Sequence, residues 1–320
     1  MHNFWKQLPR PFFVLAPLAN VTDAAFRTLI ARYSKPHGPQ VMYTEFVSAD
    51  GLMHGNRDVL LRDLQFSDAQ RPIVAQLFTS DSGSMEAAAG LAAELGFDGI
   101  DINMGCPDRA VERQGAGAAL IKNMSQAVKV IEAAQRGAPT LPISVKTRLG
   151  YNTDVLESWV ETLLSTPIAA LTIHARTRKE MSKVPARWER IARAVELRNA
   201  LRSPVCIIGN GDVVDLADAA QKAAHTGADG VMLGRAIFGT PWLFDPSRRP
   251  TLRERLEIAI EHTVLFERML GDLKNFAIMK KHFKAYIEGF PGAKELRMRL
   301  METKQAWEVE EILREYIASI

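Results

Sequence analysis

Short apolar runs alternate with longer amphipathic segments from the N-terminus to about residue 245. Several of the short runs are almost continuously apolar, which is typical of parallel strands that are buried on both faces. The longer segments repeat their apolar residues at the spacing of an α-helix. We predict eight strands, at Phe12–Ala16, Val41–Phe46, Ile73–Leu77, Gly99–Asn103, Ile143–Thr147, Ala170–His174, Val205–Ile208 and Gly230–Leu233.

Helical patterns lie between these strands. Eight strand–helix units in about 245 residues predict a (β/α)8 TIM barrel, in which the active site lies at the carboxyl ends of the strands. An open, doubly wound sheet is the alternative architecture. The clearest predicted helices are Ser84–Leu95, Ser125–Gln135, Val155–Ser165, Trp188–Leu197 and Val214–His225.

Polar and ionisable residues follow the predicted strands closely. In a barrel of parallel strands these positions meet at one face, so we expect them to form a single site. They are Pro17, Glu45, Gln76, Asn103 with Cys106, Lys146 with Arg148, His174 with Arg176, Asn210, and Gly234 with Arg235.

The chain changes character after residue 245. The segment Pro246–Pro250 is predicted to be a linker, and from Thr251 to Ile320 only helical spacing remains. We therefore predict a catalytic barrel domain over 1–245 and a small, all-helical domain over 251–320. Residues 274–299 carry seven basic and two acidic side chains, with His282, Phe283, Tyr286 and Phe290 among them. This density predicts a surface for a polyanion, and a solvated helix face is the alternative.

Composition narrows the class of protein. The chain has 320 residues, 47% hydrophobic and 24% charged, with a net charge of +3. No apolar run approaches the roughly 18 residues of a membrane span, and Met1–Arg10 has no signal-peptide core. The two cysteines, Cys106 and Cys206, indicate no disulfide framework and therefore a reducing, cytoplasmic setting. We expect no metal site and no membrane partner, and Cys206 is predicted to be a core residue.

The run Asp101–Pro107 is the most informative motif. Its predicted strand ends in a turn that presents Cys106 between a glycine, which has unusual backbone freedom, and a proline, which has little. The alternative is a buried structural thiol, since free cysteine is among the most buried residue types. A thiol with an ordinary pKa of about 8.5 holds its proton at pH 7 and can act as an acid.

Two glycine-bearing loops follow the last two predicted strands, Gly209–Asp212 and Gly234–Ala236. Barrels commonly bind phosphate at this place, through backbone N–H groups. Lys146 at the end of the fifth strand favours a flavin, because a cation beside the pyrimidine edge of its ring stabilises the anionic reduced form. We expect His174 to contact the ring or its ribityl phosphate, and Gln76 to bond the polar edge of the ring.

Together these residues resemble the tRNA-dihydrouridine synthase family of FMN-dependent barrel enzymes, over nearly the whole chain. The resemblance implies a TIM barrel followed by a helical RNA-binding domain. It also implies reduction of the uracil C5=C6 bond in the tRNA D-loop by FMN, with NADPH as the reductant. The matching motifs are Ala16–Asp23, Tyr43–Ser48, Asp101–Pro107, Gly115–Leu120, Val145–Gly150, Thr172–Arg178, Gly209–Asp212 and Gly234–Ala236.

The resemblance also implies roles for single residues. Cys106 takes the role of proton donor, and Asn103 is expected to touch the flipped uracil. Arg148, Arg176 and Arg178 are candidates for RNA contacts beside the pocket, as are Lys280 and Lys281 in the helical domain. The expected FMN contacts are Pro17, Leu18, Ala19, Gln76, Lys146, His174, Asn210, Gly211, Asp212, Gly234 and Arg235.

Some positions depart from the family pattern. Leu18 replaces a usual methionine and Asn20 a common glycine, and Ala110 stands where a lysine is frequent, so no RNA contact is expected from that position. The run Met279–Phe283 and the turn Gly289–Ala293 resemble the B-type bacterial branch, which modifies uridine 17. We expect a monomer. Two other readings remain open: an FMN barrel enzyme that acts on a free metabolite, such as an ene-reductase or a dihydroorotate dehydrogenase, and a tRNA-binding protein without turnover.

Overall fold

The computed structural model describes residues 3–55 and 57–320. Within them the chain forms a (β/α)8 TIM barrel of parallel strands, as predicted, followed by a helical region. The barrel has eight strand positions, which we call staves. The second stave consists of two short strands, so the strands number nine. They are β1 Phe12–Leu15, β2 Met42–Tyr43, β3 Val47–Ser48, β4 Ile73–Phe78, β5 Gly99–Met104, β6 Ile143–Arg148, β7 Ala170–His174, β8 Cys206–Asn210 and β9 Gly230–Leu233.

The sheet closes on itself. Consecutive strands pair in parallel from β4 to β9, and β1 pairs with β9 through Phe12 and Gly230. A bridge between Val14 and Val41 joins the first stave to the second. This closure excludes the open, doubly wound sheet, and it directs the carboxyl ends of all the strands to one mouth.

The second stave differs from the prediction. The sequence predicts one strand over Val41–Phe46, whereas β2 ends at Tyr43 and β3 begins at Val47. Between them the Thr44 hydroxyl accepts a hydrogen bond of 3.0 Å from the Gln76 backbone N–H. Glu45 bonds the Asn20 backbone N–H and the Lys274 ammonium. Side-chain contacts therefore replace part of the regular ladder beside the barrel mouth.

The predicted helices are present, with ends that differ by no more than three residues. Capping side chains set several of these ends: Asp81 accepts from the Ser84 N–H, so this helix begins at Ser82 rather than Ser84. The helices are α1 Ala24–Ser34, α2 Ala49–His54, α3 Arg57–Asp63, α4 Ser82–Glu94, α5 Arg109–Arg113, α6 Met124–Gly137, α7 Leu156–Leu164, α8 Trp188–Ala200, α9 Leu216–Thr226, α10 Leu252–Leu270, α11 Met279–Tyr286, α12 Ala293–Glu302 and α13 Ala306–Ser319.

Aromatic side chains fill the amino end of the barrel. A 3₁₀ turn over Phe4–Gln7 places Trp5, fully buried, against Phe12, with 5.8 Å between the ring centroids. Cys206 lies in the same cluster and is 1% exposed, so it is a core residue, as predicted. Since this end is packed with side chains, a ligand can enter the barrel only from the carboxyl end.

The helical region packs directly on the barrel. His262 of α10 stacks on Phe26 of α1 with 4.6 Å between the ring centroids, and Tyr33 donates a hydrogen bond of 2.5 Å to Glu261. The hydrophobic core runs without interruption from the barrel into α10–α13. The domain boundary placed at residues 246–250 therefore stays a prediction. No described helix is both long enough and apolar enough to cross a membrane.

Candidate active site

A cavity of about 640 Å³ opens at the carboxyl ends of the strands, and all eight staves contribute to its wall. Fourteen of the residues that the sequence predicts for the site lie on this wall. They are Pro17, Leu18, Ala19, Gln76, Asn103, Cys106, Lys146, Arg148, His174, Asn210, Gly211, Asp212, Gly234 and Arg235.

Cys106 lies on a turn that backbone contacts hold tightly. The Asn103 side-chain oxygen accepts from the N–H groups of Gly105, at 3.1 Å, and Cys106, at 2.9 Å. Gly117 has φ +60°, and a Cβ there would approach the Cys106 carbonyl oxygen to 2.8 Å. Burial raises the pKa of the Cys106 thiol. The turn thus presents a half-buried, protonated thiol to the cavity.

Two ionisable side chains face Cys106 across the cavity. Burial, and then the charge of Arg148, lowers the pKa of Lys146 to about 8, so the ammonium is still protonated at pH 7. Burial and the neighbouring cations lower the pKa of His174 well below its usual value. The Arg176 guanidinium donates to His174 Nε2 over 3.1 Å, which leaves the proton of the neutral ring on Nδ1.

The two glycine-bearing loops form one side of the cavity. Gly211 has φ +124°, and a Cβ there would lie 2.9 Å from the Ala186 Cβ and 3.0 Å from His174 Cδ2. A 3₁₀ turn over Arg235–Ile237 begins on the wall, and the first N–H groups of such a turn have no partners within it. Arg235 is mostly exposed and donates to Asp212 over 2.7 Å. The arrangement suits a phosphate group.

The comparisons with known proteins assign the chain to a family. The sequence model described as dihydrouridine synthase matches residues 14–320. The chain belongs to this family. A probable tRNA-dihydrouridine synthase of Staphylococcus aureus (strain MRSA252) is 39% identical over 323 residues, which cover 99% of this chain and 97% of the relative. Probable tRNA-dihydrouridine synthase 2 of Bacillus subtilis (strain 168) is 39% identical over 98% of this chain and 96% of the relative.

Solved structures support the fold at lower identity. Histamine dehydrogenase from Rhizobium sp. 4-9 superposes with a TM-score of 0.55 at 15% identity, over 79% of this chain and 48% of that chain. An amine oxidase from Pseudomonas geniculata N1 gives 0.53 at 11% identity, over 72% of this chain and 46% of that chain. At these identities the likenesses concern the fold alone.

The three arginines predicted beside the pocket occupy different environments in this dihydrouridine synthase family member. Arg148 lines the cavity and donates to the Gly105 carbonyl over 2.8 Å, so it also supports the Cys106 turn. Arg176 is 2% exposed and pairs with Asp212, and Arg178 pairs with Glu112. Neither Arg176 nor Arg178 lines the cavity. An RNA contact by Arg176 stays a prediction, and the burial of this side chain speaks against it.

Only some side chains of the basic segment 274–299 lie on the protein surface. Lys281 is exposed and Lys280 half-buried on α11, away from the cavity wall. His282, Phe283 and Tyr286 are fully buried, so these rings are not available to stack on bases. Lys274 points inward and bonds Glu45 over 2.5 Å and Asp63 over 2.8 Å. The expectation that Lys274 and the rings of His282, Phe283 and Tyr286 belong to the polyanion surface is therefore wrong, because these side chains are buried, whereas Phe290 is half-buried.

Sequence reasoning missed several residues of the cavity wall. Phe46 and Ser182 come from loops, Val213 and Val214 follow the Gly209–Asp212 motif, and Met232 lies inside β9. Phe46, Val213 and Val214 had a signal in the sequence, since each directly follows a residue or motif already assigned to the mouth. Val214 is 69% exposed and places an apolar side chain at the rim.

Proposed function

We propose that this family member is an FMN-dependent tRNA-dihydrouridine synthase that reduces the C5=C6 bond of a D-loop uridine, with NADPH as the reductant and Cys106 as the proton donor. One observation carries the proposal: the Cys106 thiol, the Lys146 ammonium and the two glycine loops line the same cavity at the barrel mouth. The family match and relatives named as probable tRNA-dihydrouridine synthases support it.

The residues of the cavity fit a flavin mononucleotide. Lys146 has three donor hydrogens but makes one long hydrogen bond, 3.4 Å to Asn210, among the described residues. This half-buried cation would gain a partner from the anionic edge of a reduced flavin. The backbone of Gly211 and Gly234 on the cavity wall, together with Arg235, suits the ribityl phosphate. Pro17, Leu18, Ala19 and Gln76 would complete the contacts.

When bound and reduced by NADPH, FMN would supply a hydride for C6 of the uracil ring. The two electrons of the hydride break the C5=C6 π bond and leave negative charge on C5 and the O4 carbonyl. Cys106 then gives its proton to C5, which completes 5,6-dihydrouridine. The raised pKa of the thiol suits this role, because an acid must still hold its proton when the hydride arrives. Asn103 lines the same cavity and would touch the uracil through an amide that can bond its carbonyl groups.

A uridine within folded tRNA cannot reach this cavity unless it leaves its base stack. The rest of the tRNA must therefore contact the protein outside the cavity, through shape, phosphates and 2′-hydroxyls. A groove of about 400 Å³ on the helical region is lined by Lys284, Lys294 and Arg297, together with Met298, Met301 and Glu302. Together with Lys280 and Lys281, these cations would supply the positive charge that attracts a phosphate backbone. We further propose that the protein acts as a monomer.

Mapping of dihydrouridine tests the proposal. Unmodified tRNA is incubated with the flavin-loaded protein and NADPH, or with NADH in parallel, and D-loop fragments are analysed by mass spectrometry. We expect dihydrouridine at position 17, in line with the resemblance to the B-type branch. Dihydrouridine at another D-loop position would overturn that assignment alone. NADPH oxidation without formation of dihydrouridine would indicate an enzyme that reduces a free metabolite. Binding of tRNA without any turnover would indicate a non-catalytic tRNA-binding protein.

Charge reversal at Lys280 and Lys281 is expected to weaken tRNA binding. The double variant Lys280→Glu with Lys281→Glu places two negative charges where phosphates are attracted. We therefore expect the affinity for tRNA to fall by about tenfold or more at low salt, and the affinity to depend less steeply on salt concentration. Fluorescence anisotropy with labelled tRNA measures both quantities, and flavin content is expected to stay unchanged.

Lys6→Glu with Lys129→Glu is the matched control for this variant. Both lysines are exposed, and the double change alters the net charge by the same amount. Lys6 lies in the 3₁₀ turn at the amino end of the barrel, opposite the mouth. Equal weakening by the two double variants would show a general charge effect and would move the RNA surface elsewhere.

A further inference from the structure

A chain of hydrogen bonds runs from the barrel interior to the Cys106 turn. Gln76 Nε2 donates to Asp101 Oδ2 over 2.7 Å, and Asn103 Nδ2 donates to Gln76 Oε1 over 3.2 Å. Asn103 Oδ1 in turn accepts from the backbone N–H groups of Gly105 and Cys106. Asp101 and Gln76 are fully buried and Asn103 is 6% exposed, so water does not compete for the hydrogen bonds between these side chains.

The two ends of this chain require the same direction of donation. The ionised Asp101 carboxylate can only accept, so Gln76 must turn its NH2 group towards it. The backbone N–H groups of Gly105 and Cys106 can only donate, so Asn103 must turn its oxygen towards them. The two amides then meet NH2 to oxygen, and every contact in the chain is favourable. A flip of either amide would oppose two donors or two acceptors.

We propose that Asp101 is a positioning residue, which sets the direction of this hydrogen-bond chain and thereby holds the Cys106 turn and the Asn103 amide in working orientation. The inference rests on the proposed function only in that Cys106 and Asn103 act on the uracil. Asn103 lines the cavity, and its Nδ2 carries a second hydrogen beyond the one given to Gln76. The chain therefore presents a donor to a carbonyl oxygen of the substrate base.

Ser144 supplies the means to test direction separately from charge. Its hydroxyl donates to Asp101 Oδ1 over 2.6 Å and also lies 3.3 Å from the Ile100 carbonyl oxygen. In Asp101→Asn the new NH2 group can donate to the Ser144 oxygen, while the amide oxygen still accepts from Gln76. The direction of the chain then survives without the charge. Once Ser144 is also alanine, the new NH2 group has no hydroxyl oxygen to donate to. The flipped arrangement, in which this group donates to Gln76 Oε1 and the Asn103 NH2 turns towards the backbone N–H groups, then competes with the original direction.

The measurement is the rate at which iodoacetamide alkylates Cys106 in the protein without flavin, located by peptide mass spectrometry. We expect Ser144→Ala and Asp101→Asn each to stay within about twofold of the parent rate. Their combination is expected to raise the rate several-fold, by about threefold or more, because the Cys106 turn loses two hydrogen bonds whenever the amides are flipped, and each of these bonds contributes modestly to its closure.

Adding Gln76→Glu to the double variant gives a second, independent readout. A carboxylate at position 76 only accepts, so it draws NH2 groups from both position 101 and Asn103, and the Asn103 oxygen returns to the backbone. We expect the alkylation rate of this triple variant to fall back towards the parent value, whereas a residue that merely fills space would not be rescued in this way.

Two outcomes would overturn the proposal. If Asp101→Asn alone accelerated alkylation as much as the double variant, the charge and not the direction of donation would be what matters. If the double variant kept the parent rate, the chain would not hold the turn. Because alkylation needs neither flavin nor tRNA, these outcomes are separate from a failure of the proposed reaction. Circular dichroism and the unfolding midpoint of each variant verify that the barrel is folded.

Discussion

Replacement of Cys106 by alanine is expected to abolish dihydrouridine formation and to leave the flavin bound. Loss of a positioned general acid costs about 10²–10⁴-fold in rate, and protonation of carbon has no other thiol to draw on, because Cys206 is buried in the barrel interior among the described residues. The flavin contacts do not depend on the thiol. Single-turnover conversion of tRNA and the visible flavin spectrum measure the two effects.

Cys206→Ala is the matched control for this prediction. It removes a thiol of the same kind from a site remote from the cavity, so product formation is expected to remain. Cys106→Ala protein that lost its flavin would show that the cysteine is structural, and undiminished product would assign the proton to another group. Because the pKa of the Cys106 thiol is raised, its proton persists to higher pH than in a free thiol. The thiol should therefore not be the first group to limit product formation as the pH rises, and we expect the decline to follow loss of the Lys146 proton, whose pKa is about 8.

Replacement of Lys274 by methionine is expected to lower the free energy of unfolding by about 3 kcal/mol, since removal of one partner leaves a buried charge uncompensated. The Lys274 and Glu45 side chains are only 12% and 7% exposed. Without the ammonium, Glu45 would stand near Asp23, a carboxyl whose pKa burial and the charge of Glu45 already raise to about 6. Urea unfolding of the flavin-free protein at pH 7 gives the difference.

Glu45 also connects this ion pair to the cavity. Its other oxygen accepts from the Asn20 backbone N–H, directly after Pro17, Leu18 and Ala19 on the wall. We therefore expect Lys274→Met to weaken FMN binding as well, measured by quenching of flavin fluorescence. The helical region would then support the flavin site through a residue 229 positions away in the sequence from its partner.

Two further variants make this second prediction specific. Lys294→Met removes an exposed lysine of the same region and is expected to change the free energy of unfolding by under about 0.5 kcal/mol. Glu45→Gln combined with Lys274→Met removes both charges and should recover part of the loss, since paired removal leaves no isolated ion. If Lys274→Met lowered the free energy of unfolding no more than Lys294→Met, the Lys274–Glu45 pair would contribute no more than a surface ion pair.

The barrel fold and the residues at its mouth could be predicted from the sequence for one physical reason. Parallel strands that are buried on both faces appear as apolar runs, and the residues just beyond them must meet at one face of a closed barrel. Gln76, Cys106, Lys146 and His174 therefore needed no knowledge of their contacts to be placed at one site. The match of motifs to the family added which cofactor and which substrate to expect.

The parts that the sequence did not predict depend on contacts between distant residues. The break between Tyr43 and Val47 exists because Glu45 and Thr44 bond other segments of the chain. In the sequence Lys274 is one of the seven basic residues of the segment 274–299, and only the fold turns it towards Glu45. Arg176 belongs to a specific motif, yet the fold buries it against Asp212.

The sequence by itself determined the order of strands and helices, the closed arrangement that they favour, and the residues at the mouth, because local hydrophobic period and position along a strand decide these properties. Only the tertiary structure decided which cations stay on the surface, which aromatic rings enter the core, and the direction of the hydrogen bonds between Asp101, Gln76 and Asn103. Charge pairing and amide orientation depend on partners brought together across strands, and no local pattern in the chain encodes those partners.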